Sequence, residues 1–89
     1  MKCTAGSRAL IINHRFSGNV GSFVTLKKVV AVHGEMGAFW SFEKASKPLM
    51  FGADDFSFVV AFETTTENGA LLRDADLHPL PKHETSQTS

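Results

Sequence analysis

The sequence predicts an all-β domain, a closed or nearly closed barrel of five to six short strands with one short 3-10 or helical turn near the C-terminus. Three observations predict it. Apolar residues recur with period 2 through most of the chain, and clusters of Gly, Asn, Ser and Asp part these runs at intervals of about 10 to 15 residues. No window of about 12 residues carries helical periodicity. With no helix to cover an open sheet, closure is the economical way to protect two sheet edges in so short a chain.

The first strand falls at Ala9 to Asn13, with Leu10 and Ile12 on one face and Ile11 on the other. Apolar on both faces, it belongs in the interior of the sheet. Ser17, Gly18, Asn19 and Gly21 supply the turn that follows. The second strand runs from Phe23 to Val32. One face holds Val24, Leu26, Val30 and Val32 and is broken by Lys28, so a bend or bulge is expected near Lys27 and Lys28. His33, Gly34, Glu35 and Gly37 part it from a third strand, Phe39 to Lys44, in which Phe39, Trp40 and Phe42 occupy both faces. A short fourth strand lies in Lys47 to Phe51 and ends at Gly52. After a turn over Gly52 to Asp55 comes the strongest alternation in the chain, with Phe56, Phe58, Val60 and Phe62 on one face and Ser57, Val59, Ala61 and Glu63 on the other. This fifth strand is expected to line the interior with its phenylalanines. Asn68-Gly69 marks the next turn. Leu71 to Leu77 has room for one helical turn before His78 and Pro79. That turn would close the barrel mouth with Leu77 as its plug, and Pro79 would open a last edge strand that Pro81 stops.

Length and composition set further limits. With 89 residues the chain supplies one domain, placed at 1–81, and an apolar-free tail, 82–89, expected to be flexible. Hydrophobic residues at 43% and charged residues at 20% exclude a disordered or collagenous chain. Nine basic and nine acidic residues give net charge zero, so no global field draws the protein to nucleic acid or to an anionic membrane. The charges are nevertheless uneven: the first 49 residues hold seven cations and two anions, the last 40 the reverse. Cys3 is the only cysteine, which excludes an intramolecular disulfide. The apolar run Ala9 to Ile12 is too short for the core of a signal peptide, and nothing approaches a membrane span, so a cytoplasmic setting is expected.

The segment Ile11 to Val24 resembles the KOW motif of ribosomal proteins and transcription elongation factors. Ile11 and Ile12 match its first strand, Gly18 and Gly21 its paired glycines, and Phe23, Val24 and Leu26 the strand that follows. His14 stands where the motif usually has glycine, and Ser17 where it often has a lysine that meets nucleic acid. The chain is also similar to a group of very short proteins of bacteria, phages and mobile gene cassettes, through Gly18-Asn19-Val20-Gly21, Trp40, and Asp74 with Leu77, Pro79 and Leu80. These resemblances imply an SH3-like barrel. Independently of them, glycines three residues apart suit a tight reversal with positive backbone angles.

The chemistry-bearing residues form no recognisable catalytic set. Cys3 sits in a stretch expected to fray and is read as an inert thiol, while His14, His33, His78 and His83 lack the short pairing of zinc ligands. The acidic pairs Asp54-Asp55 and Asp74-x-Asp76 fit solvated turns and caps. No enzyme, metal, cofactor, small-molecule substrate or membrane contact is expected. A small barrel holds about 10 to 15 inward side chains, fewer than the large apolar residues present, so some aromatics must face outward. The expected function is therefore a non-catalytic binding module. Its partner would be a protein, a second copy included, meeting an exposed aromatic face of Phe16, Phe39, Trp40 and Phe42. The alternative is an accessory domain for RNA or single-stranded DNA, with Arg15, Lys27, Lys28 and Lys47 converging beside Phe16 and Trp40.

Overall fold

A computed structural model describes residues 2–52 and 56–80. The expected tail, Pro81, and the Asp54-Asp55 pair lie outside the described residues. The architecture is all-β, with strands β1 (Arg8–Ile11), β2 (Phe23–His33), β3 (Gly37–Glu43), β4 (Leu49–Gly52), β5 (Phe58–Ala61), β6 (Leu72–Arg73) and β7 (Leu77–Pro79). Two 3-10 turns, Ser17–Asn19 and Asp74–Asp76, are the only helical elements among the described residues.

The strands form two antiparallel sheets. One has five strands in the order β6-β3-β2-β1-β7, and the other is the β4-β5 hairpin. β1 lies between β2 and β7, as a strand apolar on both faces requires, and Ala9 and Ile11 are fully buried. β6 and β7 sit at opposite edges of the larger sheet but are separated in sequence only by Asp74–Asp76, so the sheet must curl until its edges approach. No β6-β7 ladder closes the curl into a barrel among the described residues.

The expected irregularity in β2 is present. Its register against β3 shifts between Leu26 and Val29 and again between Val29 and Ala31. The buried Ser41 hydroxyl accepts from the Lys28 N–H at 3.3 Å and donates to the Lys28 carbonyl at 3.2 Å, serving both backbone groups that the bulge displaces. Beyond the bulge Val30 and Val32 are exposed, and the β2-β3 hairpin runs out to a turn at Gly37, whose φ is 78°.

Trp40 and Phe42 from β3 join Ile11, Val24, Leu26, Leu49, Phe51, Leu72 and Leu77 in one core. Phe42 stacks on Phe51 with centroids 5.6 Å apart. The fifth strand departs from expectation here. β5 pairs only with β4, in the register Leu49↔Ala61 and Phe51↔Val59. This places Ala61 with Leu49 and Phe51 toward the core, and alternation turns Phe58, Val60 and Phe62 outward. Phe56, Phe58 and Phe62 are 96%, 44% and 54% exposed, so the interior is not lined by them. Both faces of Phe56 to Phe62 are apolar, which is why period alone did not orient the strand.

The N-terminal stretch is also more ordered than expected. Gly6 donates its N–H to the Leu26 carbonyl, Leu26 donates to the Ser7 carbonyl, and Cys3 is buried rather than frayed. At the C-terminal end the single 3-10 turn and the buried Leu77 are as expected, but the last edge strand starts at Leu77 and ends with Pro79, opposite Ala9, instead of opening at Pro79.

Candidate functional site

The polar side chains that attract attention in the sequence are mostly engaged in holding the fold. Asp74, buried at the start of the second 3-10 turn, accepts from the backbone N–H groups of Lys2 at 2.8 Å and Cys3 at 3.1 Å, and from the Trp40 indole N–H at 3.0 Å. Burial pushes its pKa up, but the bonds from Lys2, Trp40 and Cys3 outweigh burial and hold the carboxyl below its usual range. Burial, with the Asp74 charge beside it, pushes the Cys3 thiol up to about 11, which keeps it protonated. Asp76 accepts a two-pronged contact from Arg73, at 3.0 and 3.2 Å.

The turn at Ser17–Asn19 is a second anchor. The buried Asn19 amide donates to the Met50 carbonyl at 2.8 Å and accepts from the Met50 N–H at 2.9 Å, so one side chain completes the outer edge of β4, the one away from β5. His14 Nδ1 accepts from the Phe16 N–H and lies 3.1 Å from the Asn19 amide nitrogen. Its ring packs edge-on to Phe51. Burial lowers the His14 pKa, with Arg73 adding to the effect and Asp76 opposing it. Of the paired glycines, Gly21 has a φ of 93° and its N–H bonds the Ile11 carbonyl, whereas Gly18 has no positive φ. The expectation that both glycines need left-handed angles holds for Gly21 alone.

The aromatic face anticipated from the sequence is not a face. Phe16, Trp40 and Phe42 are 8%, 2% and 0% exposed because Trp40 and Phe42 share the inward side of β3 and Phe16 packs under the His14 loop. Only Phe39 is half-buried, and it stands edge-on to His33. The basic residues are exposed, but no aromatic platform accompanies them: the Arg15 guanidinium lies 4.9 Å over the buried Phe16 ring, and Lys27 and Lys28 border a depression walled by Thr64, Thr65 and Thr66. Lys47 lies apart from that depression, in the exposed link between β3 and β4.

The outward apolar surface lies instead on β5. Phe58 and Val60 are exposed on its outward face, with Phe56 before it and Phe62 after it exposed as well. Beside the inner end of this strand, a groove of about 710 Å3 runs between the hairpin and the approach to β6, lined by Phe39, Phe51, Phe58, Val59 and Leu71. β5 pairs with β4 on one side and carries no strand on the other among the described residues. The alternation at Phe56 to Phe62 is the sequence signal for this surface, and the structure turns it outward, not toward the interior that alternation suggests.

Among the described residues no cluster of His, Cys, Asp and Glu is placed to hold a metal ion, and no helix is long and apolar enough to cross a membrane. Comparison with protein-family models, with curated proteins and with solved structures finds no match to this chain.

Proposed function

We propose that this chain is a non-catalytic, protein-binding module built on an SH3-like curl, and that its contact face is the outer side of the β4-β5 hairpin. The exposure of Phe58 and Val60 on the outward face of β5, with Phe62 just beyond it in an uncharged run, carries the proposal. Contiguous apolar surface of this kind on a small folded domain marks a site of contact, since isolated exposed apolar residues are ordinary but a strand of them is costly to leave in water. Support for the SH3-like description comes from the antiparallel order β6-β3-β2-β1-β7, in which a 3-10 turn leads into a last strand beside the first. The β4-β5 hairpin is an insertion in that plan.

A binding role is preferred over catalysis because the candidate reactive groups are committed elsewhere: the Cys3 thiol is buried and protonated, His14 Nδ1 accepts from the Phe16 N–H, and Asp74 is saturated with donors. The proposed setting is cytoplasmic, where a lone thiol stays reduced. Recognition of single-stranded nucleic acid through Arg15, Lys27, Lys28 and Lys47 is the weaker alternative, because Phe16 and Trp40 are buried and offer no stacking platform. The test is capture of proteins from a host extract on immobilised wild type and on the double variant Phe58→Lys, Phe62→Lys. A protein retained by wild type and lost by the folded variant supports the proposal. Identical profiles from a wild type that also does not self-associate, or retention of only single-stranded nucleic acid in a salt-dependent way, overturn it.

A further inference from the structure

We infer that the partner seated on this face is a second copy of the same chain, joined through antiparallel pairing of β5 with β5 across a two-fold axis. The inference rests on the binding-face proposal and narrows it to one occupant. Three observations lead to it.

First, β5 is an edge. It has β4 on one side and no strand on the other among the described residues, so alternate backbone N–H and C=O groups of Phe58–Ala61 are available to a neighbouring strand. By contrast, the outer edge of β4 is blocked at Met50 by the Asn19 side chain. The hairpin therefore extends in only one direction.

Second, the strand is self-complementary. Phe56 to Phe62 contains no charged residue, so two identical copies meet without like-charge repulsion. A two-fold axis near Val59 or Val60, perpendicular to the sheet, keeps the outward face of each copy on the same side. It sets Phe58, Val60 and Phe62 against residues of the same set in the second copy. Aromatic and β-branched pairs of this sort are the favourable cross-strand contacts, and an isologous pairing closes at two copies.

Third, the area suits a weak pair. At roughly 200 Å2 for a fully exposed phenylalanine, the exposed parts of Phe56, Phe58 and Phe62 amount to roughly 400 Å2 per copy. Adding Val60, which shares their face, sets a ceiling of roughly 900 Å2 for a pair of copies, below a standard interface and in keeping with a weak, concentration-dependent pairing. The segment 82–89 is a poor rival occupant, since it contains no apolar residue to cover this face.

The pairing joins the two hairpins into one four-stranded antiparallel sheet, β4-β5-β5-β4. It covers the open edge of β5 and brings Phe58, Val60 and Phe62 of the two copies side by side on one face, while Lys27, Lys28 and Arg15 stay on other surfaces.

Sedimentation over a hundredfold range of concentration tests the inference, using wild type, Val60→Lys, Val60→Glu and an equimolar mixture of the two variants. Wild type is expected to shift from one to two chains as concentration rises. Each variant alone should stay monomeric with an unchanged far-ultraviolet spectrum, because like charges face each other near the axis, and the mixture should regain a two-chain mass. Should a variant fold poorly, hydrogen exchange of wild type supplies the same answer: amides of residues 58–61 become slower with concentration while those of β1 do not. A wild type that is monomeric throughout, a mass above two chains, variants that still dimerise, or a mixture that does not recombine overturns the β5 pairing. If wild type is monomeric yet still captures a protein that the Phe58→Lys, Phe62→Lys variant loses, the second copy is excluded and the binding face stands. If that capture difference is also absent, both fall.

Discussion

Asp74 illustrates how a single side chain here joins distant parts of the sequence. It takes donors from residues 2 and 3 and from Trp40, so replacing it with alanine would strand the indole N–H and the Cys3 N–H in the interior. Asp74→Ala is expected to cost about 3 kcal/mol or more, measured as a fall in the urea midpoint at constant slope. Ser22 gives the opposite case. Its buried hydroxyl has no hydrogen-bond partner, so Ser22→Ala should leave stability unchanged or raise it by up to about 1 kcal/mol in the same assay. The pH dependence follows from two depressed pKa values. His14 titrates below its ordinary 6.5 in the folded state, so the stability it contributes is complete above pH 6.5 and is lost as pH falls beneath that value. Asp74, held below 3.8, contributes fully above pH 3.8 and loses its contribution as pH falls further. Thermal melts should therefore show a first decline starting near pH 6.5 and a second starting near pH 3.8. His14→Asn, which keeps an acceptor near Nδ1 without a titrating ring, should remove the first and spare the second. None of these bonds follows from alternation. The residues that carry the resemblance, Asn19, Trp40 and Asp74, were visible as motif positions, but their mutual bonding depends on a chain path that period does not determine.

At the level of elements, the strands and turns were legible because each carried its own local signal. Lys28 interrupting an apolar face foretold the register shifts in β2, and Asn68-Gly69 marked a turn in which Gly69 has a φ of 59°. What the alternation could not supply was partnership. The fourth and fifth strands form their own sheet, and β5 points its aromatics outward because Ala61, not a phenylalanine, stands opposite Leu49. Small residues on a strand with two apolar faces were the available clue: Ala61 fits against the core where Phe62 would not. The hairpin also depends on close approach at its far end. A Cβ added at Gly52 would collide with the Ser57 carbonyl oxygen and crowd the Phe58 backbone, which is not a flexible obstacle. Gly52→Ala should cost about 1 to 3 kcal/mol. Hydrogen exchange should show faster amides across β4 and β5 and little change in β1. Asn19→Ala should loosen the same hairpin from the opposite side, through Met50.

On the scale of the whole molecule, the late strands flank the early ones. β6 and β7 lie at the two edges with β3, β2 and β1 between them, so the basic first half and the acidic second half interleave and the charge asymmetry of the sequence is spread around the fold. The binding surface is consequently apolar in character, and its occupancy should register in stability. If two chains pair through β5, the melting temperature of wild type rises with protein concentration, while that of Val60→Lys does not. Calorimetry at two concentrations distinguishes these outcomes.

The bonds from Lys2 and Cys3 to Asp74 span 72 and 71 positions of sequence. During synthesis, then, residues 2 and 3 emerge long before the carboxylate that seats them. A nascent chain halted before residue 74 would hold β1, β2 and β3 without the latch that fixes residues 2 and 3 against Trp40. Stalled-ribosome probes of the emerging polypeptide should find that segment open to protease until the Asp74–Asp76 turn has emerged.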